Sequence, residues 1–197
     1  VSPINGYNDI YPIINPGSGY TESGFTTTAH PKGYHRAGIS NMYVNREPRF
    51  YASINYSGAI WKGRPIEFWY DGIDGRSKAG YDYCITGYLQ RKMVDPDSDI
   101  LKWKSRNKAY IYFRLAEIYI NYAEALNEFS GPVEDVHYYV NKVRERAGLG
   151  ALPSDLSQAQ MREKIMLERR IEFAFEGHRY FDVRRWNIAK STDDRVI

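Results

Sequence analysis

ERRIEFAFEGHRYFDVRRW, residues 168 to 186, sets five arginines and four acids among aromatic rings. A solvated helix face has no use for so many rings, and a plain core helix does not carry so many charges. The density implies charges that are partly buried and satisfied by one another. Glu168, Glu172 and Glu176 recur every four residues and so share one helix face, with Arg169, Arg170, Arg179, Arg184 and Arg185 around them. Neighbouring carboxylates also raise a catalytic reading, one as acid and one as base. Opposite charges in matched numbers on two helices favour the other reading. In it, an internal ion network ties this helix to Arg114, Glu117 and Glu124.

Upstream, from Ala109 on, the pattern is helical. Ile111, Leu115, Ile118, Tyr122, Leu126 and Phe129 form an apolar stripe at spacings of three and four, which predicts the core face of a first helix. Arg114, Glu117, Asn121, Glu124 and Glu128 line the other side. Ser130-Gly131-Pro132 ends it, and Pro132 suits the first turn of a second helix marked by Val133, Val136, Tyr139 or Val140, Val143 and Ala147. Gly148 stops that helix. Ser157 and Gln160 predict a capping box opening a third, which runs through Ile165, Leu167, Ile171, Ala174 and Phe175 to Gly177. A shorter fourth segment holds Phe181, Val183 and Trp186. The expected fold is mainly α. Residues 109–197 form a helical scaffold of two helix pairs, tetratricopeptide-like hairpins that belong to one larger domain. Two such units are few for a self-standing solenoid.

Residues 1–108 obey a different grammar. Gly6, Pro12, Pro16, Gly17, Gly19, Gly24, Pro31, Gly33 and Gly38 interrupt every element before Ser40. Arg49 to Ile54 and Ile66 to Tyr70 are expected as short strands, and Asp71 to Gly75 as a loop. This portion is loop-rich, irregular and rich in aromatics. Tyrosine is the compositional outlier, with 18 in 197 residues, and such an excess suits either a core or a surface that stacks on flat ligands.

Composition otherwise bounds more than it identifies. A net charge of +3 implies neither a nucleic-acid partner nor an acidic membrane surface. No run approaches the roughly 18 apolar residues of a membrane span. Val1 is followed by no basic and apolar leader, so an export signal is expected to be absent or already removed. The single cysteine, Cys84, excludes an internal disulfide and a Cys-rich metal site, and is expected to be a small packed thiol.

Metal and catalytic motifs are weak. Glu134 and His137 make one Glu-x-x-His pair where a di-metal carboxylate site needs two. His30 and His35 sit in a Gly/Pro loop without an acidic partner nearby. Asp95, Asp97 and Asp99 copy positions 1, 3 and 5 of a calcium loop, but Ile100 and Arg106 replace the glycine and the glutamate it requires. A solvated acidic turn is expected there, and no metal or cofactor. Neither a nucleophile elbow nor a phosphate loop is present, and Cys84 has no nearby histidine. No enzymatic role is expected.

The remaining candidate is a cluster of rings between Gly58 and Gly87. Trp61, Trp69, Tyr70 and Tyr81 are the expected ligand contacts, with Arg76 among the interleaved charges. Sugar rings present faces of C–H bonds that pack on flat aromatic rings, while polar side chains bond the hydroxyls. Loops on a rigid scaffold are where such residues tend to sit. The competing reading is that these rings anchor long loops.

Three segments in order, RLAEIYINYAEALNE (114–128), VNKVRERAGL (140–149) and ERRIEFAFEGHRYFDVRRW, resemble the SusD/RagB family of outer-membrane nutrient-binding lipoproteins. NREPRFYASI (45–54) and TGYLQRKMVD (86–95) are similar to loop segments of the same family. The resemblance runs from about Asn41 to Ala189. It implies helix pairs carrying an irregular ligand-binding portion. It also implies a lipid anchor on an N-terminal cysteine missing from this sequence, display on the outer membrane of Bacteroidetes, and a SusC-like TonB-dependent transporter as partner. The ligand class implied is an oligosaccharide or polysaccharide, or in some members a peptide. The motif residues Glu168, Arg169, Glu172, Glu176, Arg179 and Asp182 are implied as scaffold. Two further readings stay open: a transporter-facing interaction module without its own ligand site, and a glycoside hydrolase with two acids on an open cleft.

Overall fold

The computed structural model describes residues 23–99, 102–105 and 111–192. The breakers from Gly6 to Gly19, the calcium-loop positions Ile100 and Arg106, and Ala109 lie outside the described residues. The chain is mainly α and divides into two compact units, Val1–Tyr110 and Ile111–Ile197.

In the first unit, helix α1 spans Pro48–Ser53, strand β1 Ile54–Tyr56, β2 Ile60–Trp61, β3 Arg64–Pro65, helix α2 Arg76–Ala79 and strand β4 Tyr88–Gln90. The expected strand at Arg49 to Ile54 is therefore helix, and only Ile54 enters β1. Its rings and Ile54 are strand-prone, but Pro48 fixes φ for the first helical turn and has no N–H to lose there. Ile66 to Tyr70 is not a strand either. The Ile66 N–H bonds to the Ala59 carbonyl, and the Glu67 N–H donates to the Asp74 carboxylate at 2.9 Å. β1 pairs antiparallel with β4, Ile54 facing Gln90. β2 and β3 form a hairpin whose two loop residues, Lys62 and Gly63, both take positive φ (49° and 80°), as the tightest hairpin turns require.

The core of this unit is built from rings. Phe50 is fully buried, with ring centroids 5.1 Å from Tyr56, 5.3 Å from Tyr51 and 6.3 Å from Tyr43. The Tyr51 hydroxyl donates to the Tyr43 carbonyl at 2.8 Å and accepts the Arg46 N–H at 3.1 Å. Burial pushes the Tyr43 and Tyr56 phenols far above the ordinary tyrosine value, so both stay protonated. A second ring group joins the core through Tyr51: Tyr34 stacks on it at 5.0 Å, and His30 and His35 lie 5.0 and 6.2 Å away. Burial lowers both histidine pKa values, which keeps this group neutral at physiological pH.

In the second unit, helix α3 spans Leu115–Ser130, α4 Glu134–Arg146, α5 Gln158–Glu172, α6 Arg179–Arg185 and α7 Ala189–Thr192. Among the described residues no helix is long and apolar enough to cross a membrane. Gly131 ends α3 at φ 78°. Pro132 stands before the N-cap Val133 of α4, two residues ahead of the first helical residue Glu134 and so outside the expected first turn. Ser157 and Gln160 make the capping box of α5 with both reciprocal bonds, as its spacing predicts. α5 ends at Glu172 and not at Gly177, because the chain turns through Phe175 at φ 66°.

Ile120, Ala123, Val136, Val140, Val143, Met161, Ile165 and Phe173 form one core between α3, α4 and α5. The apolar stripe expected to face that core does so only at Leu126, which packs against it. Leu115, Ile118, Tyr122 and Phe129 are exposed, and α3 buries instead the face carrying Ile120, Ala123 and Asn127.

Candidate functional site

The charges of the 168–186 stretch are the internal network expected of them. Arg114 donates to the carboxylates of Glu172 and Glu176, Arg144 to Glu168 at 3.1 Å, and Arg146 to Glu172. Arg169 meets Asp182 at 2.7 and 2.8 Å and Asn121 on α3. Arg185 bridges Asp182 and Glu124, and the Trp186 indole N–H donates to Glu124 at 2.7 Å. The rings belong to the same arrangement: the Arg114 and Arg169 guanidinium carbons lie 4.7 and 5.3 Å from the Phe173 centroid. Glu168 and Glu172 are buried against arginines, which does not match two acids facing an open cleft.

Among the described residues no group of three or more His, Cys, Asp or Glu side chains is placed to hold an ion. Asp95 accepts the Asp97 N–H at 2.9 Å and the Ser98 hydroxyl at 3.2 Å, and Asp99 accepts the Lys102 N–H, so these carboxylates hold their own turn. The Cys84 thiol donates to the Tyr88 carbonyl at 3.1 Å.

The ring cluster is better built. Arg64 and Asp74 form a two-bond clasp at 2.7 and 2.6 Å, which ties the Trp61 hairpin to the far end of the 67–75 loop. The Arg64 bond holds the Asp74 carboxyl below the usual carboxylate range, against a smaller upward push from burial. Inside the loop the Gly72 N–H bonds to the Trp69 carbonyl, Gly75 to Gly72, Ser77 to the Tyr70 carbonyl, and Ile73 to the Glu67 carboxylate. The loop is thus closed on itself and continuous with α2.

Trp69 and Tyr70 are exposed at the start of that loop, and Tyr81 is fully exposed in the 3-10 turn that follows α2. Arg76 is exposed on α2, its guanidinium carbon 5.6 Å from the Tyr83 ring. Trp61 differs. It is half-buried in β2, with Arg91 5.1 Å from its ring, and Arg91 also donates to the Ile60 carbonyl. Closure of the loop brings Trp69, Tyr70 and Arg76 into one segment, and Tyr81 follows it directly. The Arg64–Asp74 clasp joins the Trp61 hairpin to them.

Two residues escaped the sequence reading. Arg36 lies 5.9 Å from the Trp69 ring, a contact across a long sequence gap that no local signal announces. Trp103 is 94% exposed, and its place between Lys102 and Lys104 was the available signal.

Glycine is required where the loop closes. A Cβ on Gly75 would stand 1.8 Å from the Trp69 carbonyl oxygen and 2.8 Å from that of Tyr70, both backbone atoms. Gly75→Ala therefore opens the loop, at about 1–3 kcal/mol for such overpacking. We expect tryptic cleavage after Arg76 and Lys78 to accelerate about tenfold or more. The helical signal at 222 nm stays unchanged, and Gly150→Ala, where a Cβ meets nothing within 4 Å, serves as control.

Comparisons with known proteins agree with the helical motifs. The family model described as SusD family matches residues 5–196. The chain is similar to SusD-like protein P2 of Formosa agariphila, 42% identical over 86 residues, and to a SusD-like protein of Bacteroides ovatus, 33% identical over 115 residues. Those matches take in 40% and 54% of this chain, and 17% and 20% of the two relatives. Among solved structures it is similar to a SusD-like carbohydrate binding protein from Bacteroides fragilis (26% identity, TM-score 0.71), covering 95% of this chain and 36% of that one. A second SusD-like protein from B. fragilis matches at 31% identity and TM-score 0.63, over 94% of this chain and 35% of the other. The chain thus spans about a third of the length of these solved relatives. With the family model matched along nearly its whole length, the chain belongs to the SusD family.

Proposed function

We propose that the segment from Trp69 to Tyr81 is a stacking surface for a neutral oligosaccharide. On this reading the polypeptide captures glycans at the outer membrane for a SusC-like TonB-dependent transporter, held there by a lipid on an N-terminal cysteine outside this sequence. It binds without turnover. The observation that carries the reading is the combination of exposed Trp69, Tyr70 and Tyr81 rings with a loop closed by its own hydrogen bonds and the Arg64–Asp74 clasp. Exposed large rings on a preorganised loop contribute affinity at low ordering cost. Arg76 supplies donors for hydroxyls beside them. Trp61, with Arg91 over its ring, offers a ligand at most one face. The resemblance to a carbohydrate binding protein from B. fragilis supports the same ligand class.

The test is a tryptophan-fluorescence titration of the full-length parent with panels of neutral oligosaccharides and short peptides. We expect a saturable response to a glycan, with Kd raised about three- to tenfold in Trp69→Ala, Tyr70→Ala or Tyr81→Ala, for a ring contact of about 0.5–1.5 kcal/mol. A response to peptides alone, falling with added salt, moves the reading to peptide capture by the same scaffold. Silence throughout assigns these rings to a transporter-facing surface.

A further inference from the structure

The turn from His30 to Arg36 is held by contacts that suit only uncharged histidines. Its backbone closes through the His30 N–H on the His35 carbonyl at 3.1 Å and the Gly33 N–H on the His30 carbonyl at 2.8 Å. The Ile60 N–H of β2 donates to the Tyr34 carbonyl at 2.9 Å, beside an antiparallel bridge between His35 and Ala59. Toward the core, the rings of His30, Tyr34 and His35 lie against Tyr51 of α1.

A backbone group fixes each histidine in one neutral tautomer. The Lys32 N–H donates to His30 Nδ1 at 3.0 Å, so that nitrogen carries no proton. His35 is reversed: its Nδ1 donates to the Arg36 carbonyl at 3.0 Å, and its buried Nε2 has no hydrogen-bond partner among the described residues. A proton arriving at His30 Nδ1 displaces the Lys32 bond. One arriving at His35 Nε2 makes a buried donor without an acceptor. The two ring centroids are 5.3 Å apart, so charging both also sets like charges side by side. The groups packed on the pair do not relieve this. Lys32 adds to the repulsion, Tyr51 has its hydroxyl on the Tyr43 carbonyl, Glu47 at the head of α1 is paired with Arg49, and Ala59 and Ile60 bear no charge.

We propose that this turn is an acid-released latch: protonation of His30 and His35 frees it from Tyr51 and Ile60 and draws Arg36 away from the Trp69 ring, 5.9 Å from its guanidinium carbon. The latch stands without a ligand, and only its effect on glycan binding rests on the stacking surface at Trp69. Released, both imidazoles titrate near the ordinary histidine value of about 6.5. Latched, both titrate lower, first because burial opposes the charge and, at His30, because of His35 and Lys32; the Arg36 carbonyl pulls the other way at His35. The released form therefore binds more protons. The latch is strongest above about pH 7 and weakens as pH falls through about 6.5.

Hydrogen–deuterium exchange of the full-length parent between about pH 5 and 8, corrected for intrinsic chemical exchange, tests it. The Ile60 amide is expected to lose protection below about pH 6.5, by up to about a hundredfold per pH unit for two protons taken up on release. The amides of β4 change by less than about threefold, because release is local. In a His30→Asn, His35→Asn double variant the slope disappears. Asparagine offers Oδ1 to the Lys32 N–H and Nδ2 to the Arg36 carbonyl but does not titrate, so the slope is read whatever the variant's stability. Flat protection of Ile60, an equal slope in the double variant, or a parallel loss at β4 overturns the latch. Glycan titrations at the two ends of the range test the coupling. A Kd about threefold higher at the acid end in the parent, and unchanged with pH in the double variant, supports it. Equal Kd values with Ile60 released overturn the coupling to Trp69. No glycan response at either pH removes the stacking surface, and the exchange data alone then decide the latch.

Discussion

Asp182→Ala lowers the stability of the helical unit by about 3–5 kcal/mol, the cost of leaving a buried charge without its counterion. Arg169 and Asp182 have side chains only 6% and 4% exposed, and they meet through two short bonds. Removing the carboxylate leaves the Arg169 guanidinium with the neutral Asn121 carbonyl and the His178 ring, in a place that water does not reach. Arg185 loses one bond but keeps the Glu124 carboxylate, so the damage centres on Arg169. The same principle predicts the repair. Arg169→Met with Asp182→Leu removes both charges together and recovers most of the loss, since a buried pair contributes far less than either member costs alone. Urea unfolding followed at 222 nm measures both. A loss below about 1 kcal/mol for Asp182→Ala would place the pair in solvent and dissolve the argument that this stretch is scaffold.

Phe50→Ala strikes the other unit with a similar force, about 3–5 kcal/mol for a fully buried phenylalanine. Its ring lies among those of Tyr43, Tyr51 and Tyr56, so truncation removes their shared contact and leaves a cavity that those stiff rings cannot close. The Tyr51 hydroxyl is already committed to Tyr43 and Arg46, which restricts the relaxation further. Near-ultraviolet circular dichroism reports it, since this unit holds most of the buried tyrosines. The expected result is an earlier loss of the aromatic signal in urea while the 222 nm transition of the helices is kept. Coincident, unshifted transitions would mean that the ring group is not the core of this unit.

Caps and charge pairing were legible in the sequence because their signals are local or nearly unique. Ser157 with Gln160 defines a helix start within four residues, and the acids and arginines of the 168–186 stretch have few other ways to be satisfied together. The ring cluster was legible as a set of residue types, but not as a loop closed by Arg64, Asp74 and Gly75, because that closure is a contact geometry. Arg49 to Ile54 misled through the β-propensity of its rings, which Pro48 overrode from one position upstream.

By itself the sequence determined the family motifs, the four main helical segments and the presence of an ion network, since each rests on patterns of a few residues. Two decisions belonged to tertiary structure alone. Helix α3 carries two apolar stripes, and periodicity cannot rank them. Arg162, Arg169 and Arg185 drew the polar stripe toward α5 and α6, and the Ile120–Ala123 face then met the core. Tyrosine was divided in the same way: Tyr43, Tyr51, Tyr56 and Tyr88 went inside, and Tyr70 and Tyr81 stayed in solvent. One side chain serves both places because its ring is apolar and its hydroxyl polar, so only partners distant along the chain decide which surface each one joins.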